Sequence, residues 1–142
     1  MTTYFGEKYQ VQRAKSSQTS QAKSQLALPE VPVYIFGDVP PIAELNSFLY
    51  LHGCKTSLNL LRPIRIWADL AEDIVGEADK AISYFIPEDL ERPAIAIILP
   101  PFIALAAALV AQIQHKCLSQ KVILIHYRTN HEPHFVGFEL NC

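Results

Sequence analysis

The chain has 142 residues, of which 50% are hydrophobic and 18% are charged, and its formal net charge at pH 7 is -2. This size and composition indicate one folded domain with a core and exclude a largely disordered chain. The slight negative charge argues against a broad surface for duplex nucleic acid, although a few donors suffice for a small anionic ligand. Three cysteines without CxxC spacing predict neither a zinc site nor a disulfide framework. The opening MTTYFGEKYQ lacks the features of a signal peptide, so we expect a cytoplasmic protein with reduced thiols.

Residues 1–30 predict a flexible N-terminal arm. Ser, Gln and Lys dominate the stretch 8–25, where apolar periodicity is nearly absent. Such an arm either contacts nucleic acid through its basic residues or is a plain solvated tail, and the composition favours the tail. The folded domain is expected to occupy residues 31–142.

The first strand and helix are predicted before residue 54. VPVYIFG (31–37) is β-branched and aromatic, as strands are. PPIAELNSFLYLHG (40–53) has apolar residues at helical spacing. We expect Asp38 to be the N-cap of this helix and Gly53 to follow its C-terminal end.

A second strand and helix follow. LRPIRIW (61–67) predicts a short strand, and its Pro63 indicates an edge of the sheet. ADLAEDIVGEADKAISYFI (68–86) predicts a helix whose acidic first turn matches the helix dipole. Residues 87–93 are expected to form a polar connection. The core-facing positions predicted for this helix are Ile74, Ala78, Ala81, Ile82 and Phe85.

A long apolar run, AIAIILPPFIALAAALVA (94–111), opens the second half of the chain. It has no polar side chain and the length of a transmembrane candidate. Pro100 and Pro101 interrupt it, and a proline in mid-helix costs about 3 kcal/mol, whereas one in a first helical turn is tolerated. We therefore predict no membrane span, but a buried strand at 94–99 and a helix at 100–117.

Two last strands are predicted at KVILIHYR (121–128) and HFVGFEL (134–140). The short connection between them makes the pair antiparallel. Strand–helix alternation through the rest of the domain predicts an α/β fold, a Rossmann-like three-layer sandwich. Its sheet is expected to be mostly parallel, with about five strands and a C-terminal antiparallel edge strand.

The expected ligand site lies where the strands end. In open α/β sheets, ligands bind beyond the carboxyl ends of the strands, and helix N-termini there favour phosphate. Gly37 would let the backbone approach a ligand, and Arg128 could place a guanidinium on a phosphate. The alternative is ordinary turns and a solvated arginine. The predicted ligand-binding residues are Gly37, Asp38, Leu99, Pro100, Pro101, Phe102, Tyr127 and Arg128.

Other polar clusters suggest less specific chemistry. HYRTNHEPH (126–134) invites a metal site but matches no standard ligand spacing, so a general-base role for His126 or His131 is favoured over a metal. The acidic residues at 69–73 suit a helix N-terminus better than a magnesium site. We expect neither a metal nor a cofactor, and no catalytic residue is assigned.

The helix at 102–117 also bears on assembly. Ala104, Ala107, Ala108 and Ala111 share one face, and larger apolar residues occupy another. A helix that is apolar on several sides must be covered on several sides. A second subunit would do this in a homodimer, and a neighbouring helix of the same subunit would do it in a monomer.

The segment PAIAIILPPFIALAAALVAQIQHKC, followed by KVILIHYR and HEPHFVGFEL, resembles the C-terminal half of small CRISPR-associated Rossmann-like proteins. These are ancillary proteins of type III systems that handle cyclic oligoadenylate second messengers. The shared pattern covers about residues 93–140: a strand ending in Pro-Pro, an alanine-rich helix, a strand ending in arginine and a final antiparallel strand.

The resemblance implies a cytoplasmic homodimer that binds cyclic tetra-adenylate across its two-fold axis. It further implies that the ligand is either sequestered or cleaved without a metal, by attack of a ribose 2′-OH on the neighbouring phosphate. The family's Pro-Pro turn falls on Pro100 and Pro101, and its strand-end arginine on Arg128. After the first strand, the polar residues of the family are replaced by Gly-Asp-Val, which weakens the expectation of catalysis more than that of binding.

Two other interpretations stay open. One is a generic nucleotide-binding or phosphodiester-hydrolysing enzyme built on the same sheet. The other is a non-enzymatic dimeric interaction module that uses the alanine face and the basic arm.

Overall fold

The computed structural model describes residues 27–65, 73–116 and 121–141. Most of the predicted arm, residues 1–26, lies outside these ranges. Within them the chain forms a short 3₁₀ turn at Leu58–Leu60 and the following strands and helices: β1 (Val33–Ile35), α1 (Ile42–Tyr50), β2 (Leu61–Pro63), α2 (Ile74–Ile82), α3 (Pro87–Leu90), β3 (Ala94–Ile98), α4 (Ile103–Lys116), β4 (Lys121–Tyr127) and β5 (Phe135–Asn141).

The strands form one sheet in the order β2-β1-β3-β4-β5. β1 pairs in parallel with both β2 and β3, and β3 pairs in parallel with β4. β5 runs antiparallel to β4 at the far edge. The predicted α/β fold, mostly parallel with a C-terminal antiparallel edge strand, is confirmed.

Apolar side chains cover both faces of this sheet. On one face, Ile95 and Ile97 of β3 pack in a cluster with residues of α2 and α4 such as Ala78 and Leu105. On the other face, Ala96 and its neighbours pack with residues of α1. All five residues of β3 are buried. Burial on both faces explains why this strand is a continuous apolar run rather than an alternating pattern.

The apolar run at 94–111 is divided into a strand and a helix, as predicted, but Pro100 and Pro101 lie before the helix and not in its first turn. β3 ends at Ile98, Pro100 and Pro101 occupy the turn, and α4 begins at Ile103. The amide of Ala106 donates to the carbonyl of Phe102 at 3.0 Å, which starts the first helical turn. No helix within the described residues has both the length and the apolarity needed to cross a bilayer.

The predicted helix at 68–86 is shorter in the structure. α2 begins after Asp73, whose Oδ1 accepts from the amide of Gly76 at 2.9 Å, and it ends at Ile82. Residues 66–72 lie outside the described ranges. The core positions were predicted correctly: Ile74 packs against the core, and the buried members are Ala78, Ala81, Ile82 and Phe85.

Two local predictions were wrong. Asp38 does not cap α1, because that helix begins only at Ile42 and its N-cap position is Pro41, without a side-chain cap. The connection at 87–93 contains α3, which has Pro87 in its first turn, where proline costs no hydrogen bond. Gly53, by contrast, follows α1 with φ 76°, the left-handed conformation expected after a helix end.

Candidate functional site

The order of the strands creates a switch point between β1 and β3. The chain passes from β1 to β2 on one side and then crosses to β3 on the other, and such points are where open α/β sheets bind ligands. Backbone hydrogen bonds continue the parallel ladders to the carboxyl ends: Phe36 to Ile98 at 3.0 Å, Ile64 to Ile35 at 2.8 Å and Leu99 to Ile125 at 2.9 Å. These bonds hold the four strand ends at one level.

A small cavity opens at this point, and we call it the switch-point crevice. Its volume is about 100 Å³. A Cβ placed on Gly37 would lie 3.6 Å from Cδ of Pro101 and 3.8 Å from the carbonyl oxygen of Leu99, so the glycine backbone forms one wall. The crevice is lined by Gly37, Asp38, Ile98, Leu99, Pro101, His126 and Tyr127.

Most of the predicted ligand-binding residues meet in this crevice. Five of the eight line it: Gly37, Asp38, Leu99, Pro101 and Tyr127. Pro100 is buried and does not line it, and Phe102 lies outside it with 42% of its surface exposed.

Arg128 has a structural contact in the hairpin between β4 and β5. Its Nε and Nη2 donate to the carbonyl of Pro133 at 3.2 and 2.8 Å. Its amide also donates to the carbonyl of His134 at 2.7 Å. The arginine therefore closes the hairpin in this structure, and phosphate binding by Arg128 stays a prediction.

His126 is a crevice residue that the site prediction missed. Its side chain is exposed at the end of β4, and it lines the crevice beside Tyr127. The available signal was its position one residue before Tyr127 at a strand end. In the sequence, His126 stands in a segment with two further histidines, His131 and His134, which draws attention to a shared role and away from the strand end.

One of those histidines, His134, lies close to two carboxylates. His134 contacts Glu132, with 2.9 Å between Nε2 and Oε2, and lies 3.7 Å from Glu44. Among residues 27–65, 73–116 and 121–141, no group of three or more His, Cys, Asp or Glu residues is arranged to hold a metal ion.

The chain matches no protein-family model, no curated protein and no solved structure.

Two larger cavities are lined in part by residues of β1 and β2. The first, which we call the middle cavity, has a volume of about 450 Å³ and is lined by Ile35, Phe36, Gly37, Val39, Pro63, Ile64 and Arg65. The second, which we call the β2-end cavity, has a volume of about 440 Å³ and is lined by Tyr34, Arg62, Pro63, Ile64, Arg65, Tyr84 and Ile86. The middle cavity shares Gly37 with the crevice, and it shares Pro63, Ile64 and Arg65 with the β2-end cavity.

A buried polar network holds two residues that line the β2-end cavity, Tyr34 and Arg62. The hydroxyl of Tyr34 donates to Asp89 at 2.5 Å, and Arg62 donates to the same carboxylate at 3.0 and 3.3 Å. Burial raises the pKa of Asp89, but hydrogen bonds from Arg62 and Tyr34 outweigh it and hold the pKa below its ordinary value. Burial and the contact with Asp89 raise the pKa of Tyr34 to about 12. At neutral pH the network therefore holds a carboxylate, a guanidinium and a neutral phenol.

Proposed function

We propose that the chain binds cyclic oligoadenylate, with cyclic tetra-adenylate as the expected ring, and thereby damps a type III CRISPR antiviral signal. The observation that carries the proposal is the switch-point crevice, where five predicted ligand-binding residues come together. The resemblance of the segment 93–140 supplies the ligand class.

The chemistry of the crevice suits part of a nucleotide. Pro101 lines it and lies two residues before α4, whose first amides have no intrahelical partners and favour an anion. Asp38 is an acceptor suited to a ribose hydroxyl rather than to a phosphate. The crevice therefore offers positions for both a phosphate and the sugar next to it.

A ring-shaped ligand with near two-fold symmetry is matched best by two copies of the protein related by a two-fold axis. On α4, Ile103 is 82% exposed, and Ala104, Ala107 and Ala111 are exposed as well. Pairing through this face would present the same crevice twice to a ligand with near two-fold symmetry. We therefore propose a homodimer formed through α4.

Damping proceeds either by sequestration or by cleavage of the ring. In cleavage, a ribose 2′-oxygen forms a bond to the neighbouring phosphorus and the bond from phosphorus to the 5′-oxygen breaks. A base must accept the proton of the 2′-OH, and the leaving 5′-oxygen takes up a proton from water. His126 is the crevice residue that could accept this proton, because one ring nitrogen of a neutral imidazole is a hydrogen-bond acceptor. Incubation with labelled cyclic tetra-adenylate in EDTA separates the two routes: linear products indicate metal-independent cleavage, and intact ligand indicates sequestration.

The proposal is tested by thermal unfolding with added ligand. We expect cyclic tetra-adenylate to raise the Tm, since a ligand that binds the native state stabilises it by mass action. AMP and ATP at the same concentration should leave the Tm unchanged. An equal shift with ATP would instead indicate the alternative, a generic nucleotide-binding enzyme.

Substitutions at Gly37 test whether the ligand binds in the switch-point crevice. Gly37→Leu should fill the crevice and abolish the shift, whereas Gly37→Ala should retain it, because its Cβ has ordinary contact distances. A full shift in Gly37→Leu would show that the ligand binds elsewhere.

A further inference from the structure

The two edges of the sheet differ in how well they are protected from pairing with another strand. β2, at one edge, has three residues. Because Ile64 donates to Ile35 of β1, the neighbouring Pro63 stands on the open side, where it lacks an N–H. β5, at the other edge, has seven residues and contains neither proline nor lysine. It pairs one to one with β4 along its whole length, so no bulge protects it.

Alternate residues of β5 direct their backbone groups away from β4. The amide of Arg128 donates to the carbonyl of His134 at 2.7 Å, so these two residues form a hydrogen-bonded pair of the antiparallel ladder. Bonded pairs recur at every second residue, so the even-numbered residues from 136 to 140 bond to β4. The carbonyl of Ile125 agrees with this alternation, because it accepts from Leu99 of β3. Four outward residues therefore present N–H and C=O groups to the open side: Phe135, Gly137, Glu139 and Asn141.

The side chains of β5 on the α4 face of the sheet are apolar and partly exposed. Val136 and Phe138 are 46% and 52% exposed, and Leu140 on the same face packs against the core. On the opposite face, Glu139 is the one charged side chain of the strand, and its carboxylate lies 2.6 Å from Nδ1 of His52. An edge strand with exposed apolar side chains and unpaired backbone groups is a template for another strand.

The backbone of β5 is complementary to a second copy of itself. Two copies related by a two-fold axis at Phe138 pair in antiparallel orientation, with Gly137 opposite Glu139 and Phe135 opposite Asn141. This register uses all four outward residues of each copy and forms about eight hydrogen bonds. An axis at Gly137 or at Glu139 would leave one end residue of each strand unpaired.

The same register also matches the side chains. Phe138 lies opposite Phe138 of the second copy in a non-hydrogen-bonded pair, where Cβ atoms are about 4.5–5.5 Å apart. Val136 lies opposite Leu140, which continues the apolar row across the axis. On the other face, Glu139 lies opposite Gly137, so no like charges meet. Backbone and side chains therefore favour one register.

We propose that β5 is an interface between two copies of the chain, in which two five-stranded sheets join edge to edge into one. This inference goes beyond the proposed function, since the contact requires no ligand.

The β5 contact is separate from pairing through α4. Leu105 and Leu109 of α4 are buried against the sheet and Ala107 is exposed on the far side of the helix, whereas the free edge of β5 lies in the plane of the sheet. The two contacts are therefore compatible on one copy. Because a single strand edge buries little area, the β5 contact forms at higher protein concentration than the α4 dimer.

The register is tested by exchanging charges at the two-fold axis. Phe138→Lys and Phe138→Glu each place like charges directly opposite one another, so each variant alone should lose the concentration-dependent association beyond the α4 dimer. A mixture of the two variants places lysine opposite glutamate and should restore it. Leu58→Lys is the matched control, because Leu58 is 72% exposed in the 3₁₀ turn before β2, and it should associate as the wild type does. Sedimentation velocity at increasing protein concentration measures the association, and circular dichroism confirms the fold of each variant.

Amide hydrogen exchange tests the backbone pairing. In the wild type, the amides of the four outward residues should be protected at high protein concentration and exchange rapidly after dilution. The amides of Val136 and Phe138, which bond to β4, should stay protected at both concentrations. In Phe138→Lys, the outward amides should exchange rapidly at both.

Other results would overturn the proposal. Outward amides that stay protected after dilution would show that a segment of the same chain covers the edge, and amides that exchange rapidly at every concentration would show that the edge stays open. Association that survives Phe138→Lys, or that the mixture does not restore, would exclude the register centred on Phe138. None of these measurements contains cyclic tetra-adenylate, so failure of this proposal is distinguishable from failure of the proposed function.

Discussion

At the scale of single residues, glycine has different roles at two positions. A Cβ on Gly137 of β5 would lie 2.6 Å from the carbonyl oxygen of Leu124 and 3.0 Å from Cζ of Phe48. At Gly37 the nearest atom would be 3.6 Å away. Gly137 therefore lets α1 approach the sheet, whereas Gly37 shapes the crevice.

We expect Gly137→Ala to lower the free energy of unfolding by about 1–3 kcal/mol, because the added methyl group must displace backbone or an aromatic ring. Gly37→Ala should change the free energy of unfolding by less than about 0.5 kcal/mol. Urea denaturation of both variants measures the difference. Equal midpoints would contradict the close packing of α1 against β5.

The two glycines differ in how far their structural roles could be predicted from the sequence. Gly37 follows a recognisable strand and precedes a proline-rich turn, so its place at a strand end was predictable. The role of Gly137 depends on Phe48, which lies on a helix in the first half of the chain. No local pattern around residue 137 carries that information, because the contact exists only after the sheet has formed.

At the scale of secondary structure, α3 depends on contacts with other elements. Four residues form too little helix to be stable alone. Asp89 of α3 is 2% exposed and is bound by Tyr34 from β1 and Arg62 from β2. The network therefore fixes α3 to the sheet, and a polar sequence such as PEDL gives no local sign of it.

We expect Asp89→Asn to lower the free energy of unfolding at pH 7 by about 2–3 kcal/mol. Breaking a buried ion pair costs about 3–5 kcal/mol. Arg62 keeps 27% of its side-chain surface exposed, which lets water reduce the loss. Urea denaturation at pH 7 provides the measurement, with Glu88→Gln on the exposed side of α3 as the control.

The Asp89→Asn variant also tests how the stability of the protein depends on pH. The pKa of Asp89 is lowered in the folded state, so its contribution is fully present above the unfolded pKa. That contribution is lost as the pH falls below about 4 and through the folded pKa. The difference in stability between wild type and Asp89→Asn should therefore be large at pH 7 and shrink toward pH 3. A difference that stays constant over this range would show that the carboxylate charge contributes nothing.

At the scale of the whole molecule, the sequence predicted the class of fold better than the site. Alternating strands and helices required a mostly parallel sheet, and the short final connection required an antiparallel edge. The strand order was not encoded in any single segment. That order places β2 beside β1, and so brings Arg65 and Tyr84 to the same cavity, although they lie on opposite sides of α2.

The exposed face of α4 leads to a prediction about the oligomeric state of the protein. Ala107 lies at the centre of the exposed alanine face, and a helix pair packed through alanines has no room for a long side chain. We expect Ala107→Arg to convert a dimeric wild type into a monomer in analytical ultracentrifugation.

Val75→Arg is the matched control, since Val75 is 59% exposed on the neighbouring helix α2 and lies off the proposed interface. It should remain dimeric. Because a ring with near two-fold symmetry contacts both copies, Ala107→Arg should also weaken binding of cyclic tetra-adenylate, whereas Val75→Arg should not. A monomeric wild type that binds the ring at full affinity would contradict pairing through α4. It would show that one copy of the crevice is enough to bind the ligand. Binding lost together with the dimer would place two crevices, one from each copy, on the same ligand.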